Sequence, residues 1–184
     1  SPGNILEDNP ATRMWESLAS EFDRPKGIVC VSAHWYIKGT AVTANEQPRT
    51  IHDFGGFPQI MYEMQYPAPG SQELANLIVA LLEEEGARAD SSWGFDHGTW
   101  CVLSKVYPNA DIPVVQLSID RTQSNEYHFN VGKKLSVLRE KGYLILGSGN
   151  IVHNLGMMNW GARDTTYPWA QRFGAYIRDA VTSD

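Results

Sequence analysis

The chain has 184 residues, 42% of them hydrophobic and 11% aromatic, enough for one sizeable core and too apolar for a disordered tail. Its formal charge of −6, with 15 basic residues scattered and in no run, excludes the electrostatic footprint of a nucleic-acid or anionic-membrane binder. No apolar stretch approaches the ~20 residues of a membrane span, no secretory layout opens the chain, and Cys30 and Cys101 stand in no finger or disulfide spacing, so a cytoplasmic protein is expected.

In chain order, Trp15, Leu18 and Phe22 recur at helical spacing and predict an amphipathic helix from Pro10 to Phe22. Gly27 to Ala33 is a continuous, β-branched run, which predicts a strand buried on both faces with His34 at its C-terminal end. Thr40 to Thr43 is a weaker strand. The segment from there to Gly70 is rich in Pro, Gly and aromatics without periodicity, as functional loops and covers are. Ser71 is placed to cap a helix whose stripe of Leu74, Leu77, Ile78, Leu81 and Leu82 ends at Gly86.

Ile112 to Ile119 and Tyr143 to Leu146 predict two further buried strands, separated by a helix around Val131, Leu135 and Leu138 that closes at Gly142. A last helix starts at Pro168, with Trp169, Phe173, Ile177 and Val181 spaced by four. Alternating strands and helices imply an α/β fold with a mostly parallel or mixed sheet flanked by helices, whose ligands gather beyond the carboxyl ends of the strands. His34 and the Gly147-Ser148-Gly149-Asn150 turn are expected there.

Five histidines occur, in no compact metal-binding pattern. His34 is either a strand-end metal ligand or a packed, hydrogen-bonded residue, and the same two readings apply to His153 after its glycine turn. His97, in Trp93-Gly94-Phe95-Asp96-His97-Gly98, is either an imidazole oriented by Asp96 or part of a tight turn. His52, beside Asp53 and Gly55-Gly56, has the same two readings, and His128 reads as a structural residue on a helix. Trp35, Phe54, Phe57, Trp93 and Trp100 surround these positions in sequence and form either the wall of an apolar pocket or core.

The motifs taken together resemble one family. They are Ser-Pro-Gly-Asn at the start, Val-Ser-Ala-His-Trp through His34, Ile-His-Asp-Phe-Gly-Gly-Phe-Pro through His52, Tyr-Pro-Ala-Pro-Gly at 66–70, Trp-Gly-Phe-Asp-His-Gly through His97, Pro-Val-Val-Gln-Leu-Ser-Ile-Asp at 113–120 and Gly-Ser-Gly-Asn-Ile-Val-His-Asn through His153. The family is the DODA-type, LigB-like class III extradiol ring-cleavage dioxygenases. The resemblance implies a small catechol such as L-DOPA and O2 as substrates, and Fe(II) for catalysis with Zn(II) possible in isolated protein. It implies His34 and His153 at the metal, His153 either as ligand or as adjacent acid/base, His97 lining the substrate pocket, and His52 near the same mouth; a neutral histidine, His153 or His97, is expected to be the catalytic residue that accepts the catechol proton.

The family's first metal histidine lies in a Gly-His-Gly-Ser-Pro motif whose Ser aligns with Ser1, and a further one lies in a C-terminal Pro-Glu-His-Tyr-like motif. Residues 1–184 are therefore expected to be a single catalytic domain incomplete at both ends. A zinc-dependent hydrolase and a non-catalytic module of the same fold are the competing readings, since two histidines could also hold a zinc ion that activates water. Oligomeric state is not legible in the sequence.

Overall fold

A computed structural model describes residues 2–157 and 166–183. The chain divides into two compact units, Ser1–Ser148 and Gly149–Asp184. In the first, the element order is α1 (Pro10–Leu18), β1 (Gly27–Ile37), β2 (Ala41–Thr43), α2 (Ile60–Glu63), α3 (Gln72–Leu81), β3 (Arg88–Asp90), α4 (His97–Val106), β4 (Val114–Asp120), α5 (Asn125–Leu135), α6 (Val137–Glu140) and β5 (Tyr143–Ser148). The second carries a short 3-10 turn, Leu155–Met157, and α7 (Pro168–Thr182).

The five strands form one mixed sheet in the order β3-β2-β4-β1-β5, as the α/β reading requires. β1 runs parallel to both β4 and β5, β2 runs parallel to β3, and β2 meets β4 antiparallel. Alternation along β1 sends Ile28 and Cys30 to one face, against Trp100 and Leu103 of α4 with Trp15 and Leu18 of α1 beside them. Val29 goes to the other face, with Val115 and Leu117 of β4, Leu74 and Ile78 of α3, and Leu135 and Leu138 of α5 and α6. Both faces are covered, which is why the start of β1 reads as a nearly continuous apolar run, whereas β4 buries the polar Gln116 and Ser118 within it.

Local chemistry sets several boundaries. Asn9 and Thr12 exchange the reciprocal bonds of a capping box at the start of α1, and Ser71 Oγ accepts from the Leu74 amide at the start of α3. Gly142 closes α6 at φ of 85°, and Gly86 ends the turn that follows α3 at φ of 65°, a region that costs a side chain about 1–2 kcal/mol. α1 ends four residues short of the expected Phe22, which is exposed, because Ser17 and Leu18 carbonyls are taken by the amides of Ser20 and Glu21 in a closing turn. In α7 the expected stripe is present, but Trp169, Phe173 and Val181 are exposed within their unit.

Besides α2, a single turn of helix inside the segment expected to be a loop, the edge strand β3 and the helix α4 were not expected. β3 is three residues of Arg-Ala-Asp, too short and polar for any periodicity to register. At its end, Asp90 accepts from the Ser92 hydroxyl and from the amides of Ser92 and Trp93, and pairs with Arg88 at 2.9 Å. Partial burial raises its pKa, but these donors outweigh burial and bring it down to about 2. Because the folded value lies below the unfolded ~3.9, the contribution is present above pH ~4 and is lost as pH falls towards 2. Asp90→Asn should therefore flatten the acid limb of stability, measured as urea midpoints between pH 5 and 2.5, and an unchanged limb would rule this out.

Candidate active site

β1 does not end where its apolar run ends. Its regular pairing with β5 stops at Ser32↔Ser148 and with β4 at Val31↔Leu117, and pairing with β4 resumes only at Tyr36↔Ile119. Five residue steps of β1 thus face two of β4, a pronounced bulge that takes Ser32 out of register with β4 and Ala33, His34 and Trp35 out of the ladder on both sides. His34 therefore lies within the strand, at its irregular part, rather than at its end. The position remains beyond the last regular pair, where ligands of parallel sheets gather.

His97 is the first residue of α4, not part of a bare turn. Its neighbour Gly98 explains how close the two histidines come. A Cβ built there would stand 2.3 Å from Ser32 Oγ and 3.0 Å from the His34 ring, so only glycine lets the helix start seat against β1. The ring centroids of His34 and His97 are 3.8 Å apart, tilted by 45°.

The third member is Asp53, a residue that the sequence reading passed over. Its Oδ1 accepts the His97 backbone N–H at 2.9 Å and lies 2.9 Å from His97 Nδ1. That ring nitrogen is buried, and despite the short separation it makes no aligned hydrogen bond. Burial raises the Asp53 carboxyl's pKa, but the His97 ring and amide outweigh this and hold it below the usual carboxylate range. Asp53 comes from the long loop, which a parallel bridge pins to the residues before α4. Thr50 pairs with Phe95, and Ile51 N and Phe95 N donate to Phe95 O and Arg49 O at 2.8 and 2.9 Å. A Cβ at Gly94 would stand 2.1 Å from the Arg49 carbonyl, so glycine is required for this crossing too.

Ligand atoms of His34, Asp53 and His97 all lie within 4.8 Å of one another. Two imidazoles and a carboxylate are a donor set suited to a divalent cation of the non-haem iron type, and a buried Nδ1 without an aligned proton partner fits such a role. Cys30 is no competitor, because burial pushes its thiol up to about 12 and keeps it protonated.

Asp96 does not orient the His97 ring. It is fully buried, caps α4 through the Gly98 and Thr99 amides, and binds Ser32 and Gln116 instead. His52 sits under the loop with Nε2 donating to the Met64 carbonyl at 2.9 Å, packed against Phe54, Tyr62 and Trp100. Phe54 links it to the site, with its ring 5.9 Å from His52 and 5.7 Å from His97. Trp35 and Trp93 stack on each other at 5.6 Å, and Trp100 is core. His128 is on α5 with Nδ1 at 2.8 Å from the Ser124 carbonyl, as a structural residue would be. His153 is exposed in the second unit, shortly before the 3-10 turn.

Residues 7–181 match the family described as the catalytic LigB subunit of aromatic ring-opening dioxygenase. The chain belongs to the LigB family. Membership makes it an extradiol aromatic ring-opening dioxygenase, an oxidoreductase whose chemistry implies an aromatic substrate and O2. It is 52% identical over 183 residues to the 4,5-DOPA dioxygenase extradiol of Escherichia coli K12, covering 99% of this chain and 68% of that protein. It is 37% identical to the 4,5-DOPA dioxygenase extradiol of Beta vulgaris, covering 97% and 68%. A solved structure of an uncharacterized Escherichia coli K12 protein superposes on it with a TM-score of 0.83 at 46% identity, over 97% of this chain and 68% of that one. This LigB-family chain has, among its described residues, no helix long and apolar enough to cross a membrane.

Proposed function

We propose that this dioxygenase opens a small catechol such as L-DOPA at an Fe(II) centre in the cytoplasm. The observation that carries the proposal is the convergence of His34, Asp53 and His97 at the bulge of β1. These are the residues present that would hold the metal. Fe(II) bound there would supply open positions at which both catechol oxygens and O2 come together, and zinc, which binds nitrogen sites more tightly, would be expected in protein isolated without iron.

The chain's own residues do the rest. His34 and His97 present their rings side by side, and Asp53 anchors the start of α4, so the donors are set before substrate arrives. Phe54, against His97, offers an apolar face to an aromatic ring, and His52 supports that face from behind while being tied to Met64. His97 serves both metal and substrate. His153 is assigned on its motif alone, as a further ligand or as the histidine that takes the catechol hydroxyl proton and returns it to the product.

The test is oxygen consumption with L-DOPA after anaerobic Fe(II) loading of the full-length protein, with ester hydrolysis by the zinc-loaded protein run beside it. Uptake coupled to a ring-opened product is expected. Verified iron binding without uptake on any catechol would overturn the proposal, and zinc-dependent hydrolysis in its place would move the assignment to a hydrolase.

A further inference from the structure

The proposed site rests on two histidines from different elements, one in an irregular strand and one at a helix start. Neither element by itself dictates their separation. Between and beneath them lies a carboxylate that no step of the proposed chemistry uses. Asp96 has no exposed surface, and each of its oxygens is engaged.

Its Oδ1 accepts from Ser32 Oγ at 2.6 Å, from the Gly98 amide at 2.9 Å and from the Thr99 amide at 3.3 Å. Its Oδ2 accepts from Gln116 Nε2 in a short contact. Ser32 Oγ in turn accepts the backbone N–H of His34 at 3.2 Å. A continuous path therefore runs from the His34 amide through Ser32 and Asp96 to the Gly98 amide, one residue past His97. Gln116 anchors that path in the centre of the sheet. Its Oε1 accepts from the Asp96 amide at 3.2 Å and the Thr99 hydroxyl at 2.8 Å, and its own amide is held by Thr43 Oγ1 at 2.8 Å.

Charge makes this arrangement costly unless complete. Burying a carboxylate costs several kcal/mol, and burial does push the Asp96 carboxyl above its ordinary range. A helix cap alone requires only a half-exposed Ser, Thr or Asp at the surface. What the buried version adds is a link to β1 at Ser32, the last residue in register with β5 and the first beyond the regular ladder to β4. The bulge leaves His34 without regular strand pairing, and the Ser32 bridge takes over the role of holding it. Chains of hydrogen bonds of this kind stiffen one another in a low-dielectric interior.

We infer that Asp96, acting through Ser32 and with Gln116 behind it, is the positioning residue that sets the spacing of His34 and His97 for a divalent metal. The inference rests on the proposed metal site. Such outer partners commonly govern metal affinity by 10–100-fold without touching the ion.

The probe is Co(II) alone, added anaerobically to the metal-free full-length protein and read by its visible absorption bands, which report ligand geometry independently of turnover. Asp96→Asn and Ser32→Ala are compared with Ile78→Ala, a cavity in the other core cluster. Ser32→Ala keeps the Asp96 cap on α4 and removes only the link to β1, so it carries the test if Asp96→Asn does not fold. We expect Ser32→Ala to weaken Co(II) binding by about 10-fold or more, with shifted bands, and Asp96→Asn by up to about 100-fold. Ile78→Ala should lower the thermal midpoint at least as much while Co(II) affinity stays within about twofold of wild type. Wild-type affinity and bands in both Ser32→Ala and Asp96→Asn would overturn the inference, as would a wild type that takes up no Co(II). A wild type that binds Co(II) with the expected variant pattern, yet consumes no oxygen with any catechol after iron loading, would instead defeat the functional proposal alone.

Discussion

His34→Ala should abolish catechol-dependent oxygen uptake while leaving the fold in place. The ring supplies one of the three converging donor atoms, and losing a direct ligand exceeds the 10–100-fold cost typical of losing an outer partner, so uptake should fall by more than about 100-fold. The backbone bond from the His34 amide to Ser32 Oγ survives the substitution, and the apolar positions of β1 on either core face are untouched. Far-UV circular dichroism and the urea midpoint should therefore stay near wild type. Zinc content by elemental analysis should drop in parallel with activity. Full activity with wild-type zinc content would remove His34 from the metal site altogether.

Trp100→Ala should be the most damaging single change to stability. Trp100 is 1% exposed, among the largest of the fully buried side chains, and stands in α4 between the sheet and the long loop. Truncating such a residue typically costs about 3–5 kcal/mol, against a total of about 5–15 kcal/mol for a domain. It also removes the bond from Nε1 to the Ile51 carbonyl at 2.9 Å and the ring contacts with His52 and Phe54. Ile51 precedes Asp53 by two residues, so the loop that carries the carboxylate should loosen even where the chain still folds. The check is urea unfolding of Trp100→Ala beside Trp100→Phe, with Co(II) binding measured on the folded fraction. A cost below about 1 kcal/mol would contradict the burial. Retained Co(II) affinity despite a large cost would show that the loop does not depend on this anchor.

How far the sequence could be read depended on where its signals were local. β1 and β4 announced themselves because strands covered on both faces carry dense apolar, β-branched runs, and β5 showed the same Tyr-Leu-Ile-Leu run although it is a half-buried edge strand. α3 was legible for the opposite reason: one face meets the core, and the serine cap and glycine stop are short-range chemistry. α4 was missed although its cap was in view. Asp96 followed by Trp100 and Leu103 has helical spacing, but Asp96 was read as a partner for an imidazole rather than for the Gly98 and Thr99 amides. A polar residue before a helix and a polar residue beside a histidine look the same in one dimension.

Asp53 shows a stricter limit. It stands 44 positions from the His97 amide to which it is bonded, and no spacing rule connects them. The two meet because Thr50 bridges Phe95 and because Gly94 allows the Arg49 carbonyl to within a distance that any side chain would forbid.

By itself, then, the sequence determined the α/β class, the buried strands, the family and the histidines worth watching, since each of these is written in composition, local periodicity or contiguous motifs. Tertiary structure alone decided that β1 bulges at His34, that Asp53 rather than Asp96 faces His97, and that Asp96 binds both histidine-bearing elements from below. The physical reason is that hydrogen bonds and close glycine crossings between distant segments depend on separations of a few tenths of an ångström, which are set when helices pack on a sheet and leave no periodic trace along the chain.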